Sequence, residues 1–129
     1  LDPLGAKLTL VKGNHDWAAG YFSGTNELEV KSEFVMPPFR LVHNAQQSPD
    51  AYECEAREST SLYTLGGHVH PAVKLRGKGR QQLTLPCFYF GRRYGLLPAF
   101  GVFTGTHVLK PHPEDQVYVV LEDRVQEVS

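Results

Sequence analysis

The sequence has no long apolar run, no cysteine cluster and no secretory signal. No apolar run reaches the length of about 18 residues that a membrane-spanning helix needs, so no membrane partner is expected. The N-terminal residues have neither a basic start nor the extended apolar segment of a signal peptide. The two cysteines, Cys54 and Cys87, form no C-x-x-C pair, which argues against a disulfide framework. A reducing, cytoplasmic location is therefore predicted.

Charge of either sign is not in excess. Thirteen Lys and Arg residues against 14 Asp and Glu residues give a net charge of -1. This balance argues against a general electrostatic binder of nucleic acid, although it is compatible with a local basic patch. The length of 129 residues, 41% of them hydrophobic, predicts one packed domain. Because the chain starts at Leu1 and its single methionine is Met36, we expect an incomplete sequence.

Short runs of strand-forming residues recur along the chain, and turn signals separate them. We predict strands at 6–12, 27–33, 39–43, 61–65, 71–76, 81–90, 94–100, 102–109 and 117–121, with 124–128 completing a terminal hairpin. The polar stretch 44–61 is predicted to be a surface loop with one helical turn near 51–57. No repeat and no long amphipathic helix occurs in the sequence. The pattern therefore predicts a β-rich chain.

Four residues with polar chemistry follow the first predicted strand. Residues 13–16 read Gly-Asn-His-Asp, and strand ends are rigid positions at which loops expose polar groups. Asn14 can offer a neutral oxygen to a metal, and His15 can exchange a proton near neutral pH. Asp16 can hold the imidazole of His15 in one tautomer. For these four residues alone, a turn with an exposed histidine is an equal alternative.

Two further histidines, His68 and His70, follow a pair of glycines. On an extended segment they would point the same way, about 6.6–7 Å apart, which suits ligands of one metal or of two adjacent metals. Two polar residues on the wet face of a strand are the alternative. His43 ends a predicted strand, and a lone histidine there is more often an exposed side chain than a ligand. The other two histidines, His107 and His112, are predicted to be surface residues.

The order of these motifs resembles the signature of the calcineurin-like metallophosphoesterases. Gly13-Asn14-His15-Asp16, His43 and Gly67-His68-Val69-His70 match its last three blocks, G-N-H-[DE], H and G-H-x-H. The downstream blocks G-H-x-H-P, R-G-x-G-R, L-P-C-F and L-P-A-F-G-x-F-T-G are similar to those of the bacterial ligase-associated DNA damage response endonucleases, the PdeM group. The resemblance covers most of the chain.

The resemblance implies an α/β fold in which a metallophosphoesterase β-sandwich is flanked by helices. Residues 1–129 would then be the β-rich C-terminal portion of a single domain of this kind. It also implies a hydrolase that cleaves phosphodiester bonds. This hydrolase would be an endonuclease that cuts DNA and works in DNA repair with a DNA ligase and a helicase.

The same resemblance implies a site with two divalent transition metals. Asn14, His43 and His68 would bind one metal and His70 the other, while His15 would act beside the scissile phosphate with Asp16 orienting it. A hydroxide activated by both metals would attack the phosphate in line. Nitrogen and oxygen ligands without thiolate suit Mn, Fe, Zn or Ni, of which Mn is the first expectation.

Two blocks of the signature are missing. Upstream of Gly13 there is no D-x-H and no G-D, so the bridging carboxylate and other ligands of one metal are absent. We therefore expect this chain alone to be impaired, and to aggregate through open sheet edges unless a partner chain, such as a second copy, covers them. A non-catalytic metal-binding fragment, a phosphomonoesterase and a small-nucleotide phosphodiesterase remain open as alternatives.

A basic turn and an aromatic cluster complete the list of candidates. Arg76, Lys78 and Arg80 alternate with glycines and could contact a phosphate of the substrate near the site. The more frequent interpretation of such a charge run is a solvated hairpin tip. The following aromatic residues are predicted to pack in the core rather than stack on bases: Phe88, Tyr89, Phe90, Tyr94, Phe100 and Phe103.

Overall fold

The computed structural model describes residues 7–14, 28–47, 62–101 and 104–128, and these residues form eleven strands and two short 3-10 helices. The strands are β1 Leu8–Val11, β2 Leu28–Lys31, β3 Glu33–Met36, β4 Phe39–Val42, β5 Tyr63–Gly66, β6 Pro71–Arg76, β7 Gln82–Phe90, β8 Tyr94–Leu96, β9 His107–Val108, β10 Gln116–Val120 and β11 Val125–Glu127. The 3-10 helices are Ala45–Gln47 and Lys78–Arg80. The prediction of a β-rich chain is confirmed. Since no α-helix occurs in these ranges, the flanking helices stay a prediction.

The strands form one mixed sheet of nine and a separate pair. The main order is β11-β10-β7-β8-β5-β4-β3, β6 pairs with β7 and β9, and β1 pairs in parallel with β2. Strand β7 is long enough to belong to two ladders: its first half pairs with β6 and its second half with β10 and β8. The neighbours β4, β5 and β8 are parallel, so their carboxyl ends meet at the same edge of the sheet.

The core lies where β6, β7 and β10 face inward. Val73, Cys87, Val117 and Val119 are buried there, each at most 5% exposed. In β10 the two buried valines alternate with more accessible residues, as expected of a strand with one face in the core. Leu96 of β8 is also buried. The core is therefore centred on β7 and holds the strand ends described below in fixed positions.

Most of the predicted strands are present, and three predictions need correction. The strand predicted at 27–33 is divided by a bend at Ser32 into β2 and β3, and β3 ends at Met36, where Pro37-Pro38 connects it to β4 as a hairpin. The strands predicted at 94–100 and 102–109 are short, limited to β8 and β9 in the described residues, because residues 97–101 and 104–106 form no strand and include glycine and proline. The helical turn near 51–57 lies outside the described residues.

The aromatic prediction holds in part. The rings of Phe88 and Phe90 are stacked with centroids 6.5 Å apart, and the ring of Phe90 meets Tyr118 edge-on at 6.0 Å. The prediction is wrong for Phe100, whose side chain is fully exposed after β8. Phe103 lies outside the described residues. In the part of the chain that the structure describes, no helix is long and apolar enough to span a membrane.

Candidate metal centre

Three predicted ligands follow the ends of strands. Asn14 comes three residues after β1, His43 directly follows β4, and His68 is two residues beyond β5. Because β4 and β5 are parallel neighbours, His43 and His68 leave the sheet at the same edge. The carbonyl oxygen of His43 accepts hydrogen bonds from the backbone N–H groups of Gly67 at 3.1 Å and His68 at 2.9 Å. These bonds fix the two histidine backbones relative to each other.

The side chains of these three residues converge on one point. Nε2 of His43 lies 2.7 Å from Oδ1 of Asn14 and 2.8 Å from Nδ1 of His68. The two imidazole rings are 4.6 Å apart between centroids and inclined at 64°. The structure therefore brings together residues that are 25 and 29 positions apart in the sequence.

The chemistry of this cluster fits a divalent cation. An imidazole nitrogen either donates one hydrogen or offers one lone pair, so at most one of the two contacts of His43 Nε2 is a well-aligned hydrogen bond. A cation at the meeting point would accept lone pairs from all three atoms at once. Two imidazoles and an amide oxygen suit Mn, Fe, Zn or Ni. Within the described ranges no three His, Cys, Asp or Glu side chains cluster, so a triad is reached here only with the Asn14 amide.

Glycine is required next to this cluster. A Cβ on Gly13 would lie 2.7 Å from Cε1 and 2.8 Å from Nδ1 of His43, closer than real Cβ atoms approach a ring. A Cβ on Gly66 would lie 2.6 Å from the backbone nitrogen of Ala45. The backbone before Asn14 can therefore approach the imidazole of His43 only because residue 13 has no side chain.

His70 stands apart from the triad and has an unusual backbone. Its φ is +52°, a left-handed conformation that costs a non-glycine residue about 1–3 kcal/mol. The prediction that His68 and His70 lie on an extended segment and point the same way is wrong, because residues 67–70 turn the chain from β5 to β6. Nδ1 of His70 is 3.0 Å from the carbonyl oxygen of Gly105, to which it donates, so Nε2 keeps its lone pair for a ligand.

The residues after β8 and those before β9 are both hydrogen-bonded to the segment that carries the histidines, which the sequence did not suggest. The N–H of Leu97 donates to the carbonyl of Gly66 at 2.8 Å, and the N–H of His107 donates to the carbonyl of His70 at 3.0 Å. The hydrogen bond between His70 and Gly105 adds a third connection. The concentration of glycine and proline in this stretch was the available signal of a loop.

The other predicted site residues are not part of this cluster. His15 and Asp16 lie outside the described residues. Arg76, Lys78 and Arg80 are exposed at the tip of the β6–β7 hairpin, at the opposite end of β6 from the histidines. Along an extended strand the separation from residue 70 is about 20 Å. The prediction placed these basic residues near the cluster, whereas the structure places them away from it. His107 and His112 are exposed, as predicted.

The described cysteine is not a ligand candidate. Cys87 is buried within the core, and desolvation raises the pKa of its thiol to about 11. Because a metal binds the thiolate, a thiol with such a raised pKa is inert at neutral pH. Cys87 therefore packs in the core as a small apolar side chain.

A solved nuclease structure is similar to this chain. No protein-family model matches the chain, and no curated protein matches it. The crystal structure of the nuclease MPE from Pseudomonas putida is similar, with 34% sequence identity and a TM-score of 0.66. The similarity covers 95% of this chain and 54% of the nuclease chain, so this chain spans about half the length of that nuclease. Nearly the whole chain is thus similar to a part of a solved nuclease.

Proposed function

We propose that this chain provides one part of the active site of a metal-dependent nuclease, a metallophosphoesterase that hydrolyses phosphodiester bonds in DNA. Oδ1 of Asn14 and Nδ1 of His68 both lie within 2.8 Å of Nε2 of His43, and this convergence of donor atoms supports the proposal. The similarity to a nuclease over 95% of the chain favours a phosphodiester as the substrate.

The residues of the candidate metal centre have different tasks in this proposal. Asn14, His43 and His68 hold one divalent metal, and His70 offers Nε2 to a second while Gly105 fixes its ring. The metals, when bound, supply positive charge to the phosphate and lower the pKa of water. Gly13 lets the ring of His43 approach the backbone. The donor atoms are all nitrogen or oxygen, which favours Mn, with Fe, Zn and Ni as alternatives.

Proton transfer is proposed for residues next to this triad in sequence. From the resemblance of the motifs, His15 is proposed to stabilise charge beside the scissile phosphate or to protonate the leaving oxygen, with Asp16 holding its imidazole in one tautomer. We further propose, from the resemblance of the motifs alone, a cytoplasmic role in DNA repair with a DNA ligase and a helicase, and a homo-oligomer as one way of covering open sheet edges.

The test is bound metal together with hydrolysis of a simple diester. Mn content is measured for wild type, His43→Ala and His107→Gln, and Mn-dependent hydrolysis of bis-p-nitrophenyl phosphate is measured for the same three proteins with the remainder of the enzyme supplied. His107 has an exposed ring, and the hydrogen bond it makes to His70 is from the backbone, so it is a matched histidine control. We expect His43→Ala to lose both bound Mn and hydrolysis, and His107→Gln to keep both.

The other outcomes separate the alternatives. Mn that stays bound in His43→Ala would refute the triad as a metal site. Mn bound through the triad without hydrolysis, when the remainder of the enzyme is also supplied, would identify a non-catalytic metal-binding module. Turnover of p-nitrophenyl phosphate without turnover of the diester would identify a phosphomonoesterase.

A further inference from the structure

A cleft of about 640 Å³ lies between residues 73–76 of β6 and the segment 108–113, outside the metal centre. The two walls separate because β9 pairs with β6 only at Pro71 and Ala72. Among the described residues, the last backbone hydrogen bond between the walls runs from the N–H of Leu109 to the carbonyl of Ala72 at 2.8 Å. Beyond Ala72, the edge of β6 that does not pair with β7 therefore faces the cleft.

The backbone groups of Lys74 and Arg76 point towards this cleft. Because β6 and β7 are antiparallel, successive residues of β6 alternate between pairs that exchange hydrogen bonds with β7 and pairs that do not. The bond from the N–H of Gly77 to the carbonyl of Gln81 places the odd-numbered residues in the bonded group. Lys74 and Arg76 belong to the other group, and within the described ranges no backbone hydrogen bond joins them to residues 109–113. Their N–H and C=O groups, about 7 Å apart along the strand, form an open strand edge.

Strand alternation gives this edge one apolar face and one basic face. Val73 belongs to the buried core cluster, and Leu75 packs against that cluster. The side chains of Lys74 and Arg76 lie on the opposite face of β6 and are exposed. A strand added to the edge alternates in the same way, so one set of its side chains lies beside Val73 and Leu75 and the other set beside Lys74 and Arg76.

The rest of the lining keeps this division between apolar and basic groups. Its apolar members are Val108, Leu109, Pro111, Pro113, Val117 and Val128. Lys110 adds a third exposed cation, and no carboxylate lines the cleft. In the part of the chain that the structure describes, none of Lys74, Arg76 and Lys110 takes part in an ion pair. The charge of the edge is therefore complementary to acidic side chains.

The wall opposite β6 is held in place by side-chain hydrogen bonds. Oδ2 of Asp115 accepts a hydrogen bond from the backbone N–H of His112 at 2.6 Å and another from the hydroxyl of Tyr89 at 2.9 Å. Because Tyr89 belongs to β7, this carboxylate connects the wall to the central strand of the sheet. The cleft is thus preformed, which lowers the entropic cost of binding a segment there.

We infer that the open edge of β6 binds an extended segment of a partner protein, in which apolar and acidic residues alternate, as an added strand. The backbone of the segment exchanges hydrogen bonds with Lys74 and Arg76, its apolar side chains enter the cleft beside Val73 and Leu75, and its acidic side chains lie beside the cations. A peptide suits this edge because its own N–H and C=O groups repeat at the same spacing. The inference goes beyond the proposed hydrolysis and does not depend on it.

The test follows backbone amide exchange by NMR, with the remainder of the enzyme supplied. The probe is a capped peptide of four Glu-Val repeats. Without peptide, the amides of Lys74 and Arg76 should exchange with solvent faster than those of Val73 and Leu75, which are bonded to β7. Peptide at ten times its dissociation constant leaves about a tenth of the edge unoccupied, so it should slow exchange at Lys74 and Arg76 about tenfold. Exchange at Val73 and Leu75 should not change.

Peptide variants test the strand pairing on the unchanged protein. One peptide is N-methylated at every Glu and another at every Val, because only one of these two sets of N–H groups faces β6 in an added strand. Each backbone hydrogen bond contributes about fivefold to affinity, so one N-methylated peptide should bind about 25-fold more weakly than the parent. The other should stay within about twofold. A peptide with four Glu followed by four Val has the same charge and should not slow exchange at Lys74 and Arg76.

A pair of protein variants tests the same edge from the other side. Lys74→Pro removes the N–H that faces the cleft and leaves the bonds of Val73 and Leu75 to β7, whereas Lys74→Gln removes the charge alone. Lys74→Gln should weaken peptide binding by at most about fivefold, as expected for an exposed ion pair. Lys74→Pro should be weaker than Lys74→Gln by about a further fivefold, and thermal unfolding checks that both variants are folded.

Three results would overturn the inference. The first is that the alternating peptide gives no protection at the amides of Lys74 and Arg76. The second is that both N-methylated peptides bind as tightly as the parent, since binding would then not use the strand edge. The third is that an oligothymidylate of equal charge protects these two amides and displaces the peptide at a lower concentration than the peptide itself needs.

Discussion

Gly13 gives the sharpest test of the metal centre, because the substitution Gly13→Ala alters the geometry of a ligand without removing it. The added Cβ would lie 2.7 Å from Cε1 of His43, whereas ordinary contacts of this kind begin near 3.4 Å. The ring of His43 must therefore move by about 0.7 Å. The movement changes the position of Nε2 relative to Asn14 and His68.

The size of the effect follows from the precision of metal coordination. Metal–ligand distances are held to within about 0.2 Å, so a displacement of this size weakens or breaks one of three bonds. Loss of the groups that position a ligand typically lowers metal affinity about 10- to 100-fold. We expect Gly13→Ala to weaken Mn binding by that factor, which corresponds to about 1.4–2.8 kcal/mol.

The assay is titration of the metal-free protein with Mn by calorimetry, with thermal unfolding in EDTA as a check of folding. Gly67→Ala is the matched control, because this glycine also precedes a ligand but a Cβ on it meets nothing within 4 Å. Gly67→Ala should bind Mn as wild type does. The reasoning is refuted if Gly13→Ala binds Mn as tightly as wild type, or if Gly67→Ala loses as much affinity as Gly13→Ala.

Three further predictions concern the core and the exposed loop. Leu96→Ala should lower the free energy of unfolding by about 2–5 kcal/mol, measured by urea denaturation, because Leu96 is 1% exposed; a loss below about 1 kcal/mol would contradict its place in the core. Phe100→Ser should change that free energy by less than about 0.5 kcal/mol, because the side chain is fully exposed; a larger loss would show that the ring is packed. In a Cys54→Ser background, Cys87 should react with iodoacetamide at pH 8 much more slowly than in urea, because burial raises its pKa to about 11. A rapid reaction at pH 8 would refute the burial. The raised pKa also means that the stability contributed by the neutral thiol is present below its ordinary pKa of 9.0 and is lost as pH rises towards 11.

The sequence predicted the strands better than their connections. Alternation and turn residues located β4, β6 and β7, because these strands have strong local patterns. The sequence pattern did not separate β2 from β3, because the two strands differ in their pairing: β2 pairs with β1, whereas β3 pairs with β4. The exposed position of Phe100 was also missed, because an aromatic ring near other aromatic residues in sequence need not share their core.

For the site, the sequence identified residue types but not their geometry. The resemblance to the metallophosphoesterase motifs implied that Asn14, His43 and His68 bind one metal, and the structure brings their donor atoms together. The left-handed backbone of His70 could not be predicted, because residues before proline usually prefer extended conformations.

The parallel strands β4, β5 and β8 differ in how freely the residues that follow them can change in evolution. The first two strands lead into His43 and His68, whereas β8 leads into residues 97–101, none of which belongs to the triad. Loops accept substitutions and insertions more readily than the strands that support them. The residues after β8 can therefore vary while the triad stays intact. The hydrogen bond between His70 and Gly105 is the point where such variation would reach the proposed metal centre, so it limits how freely the residues before β9 can vary.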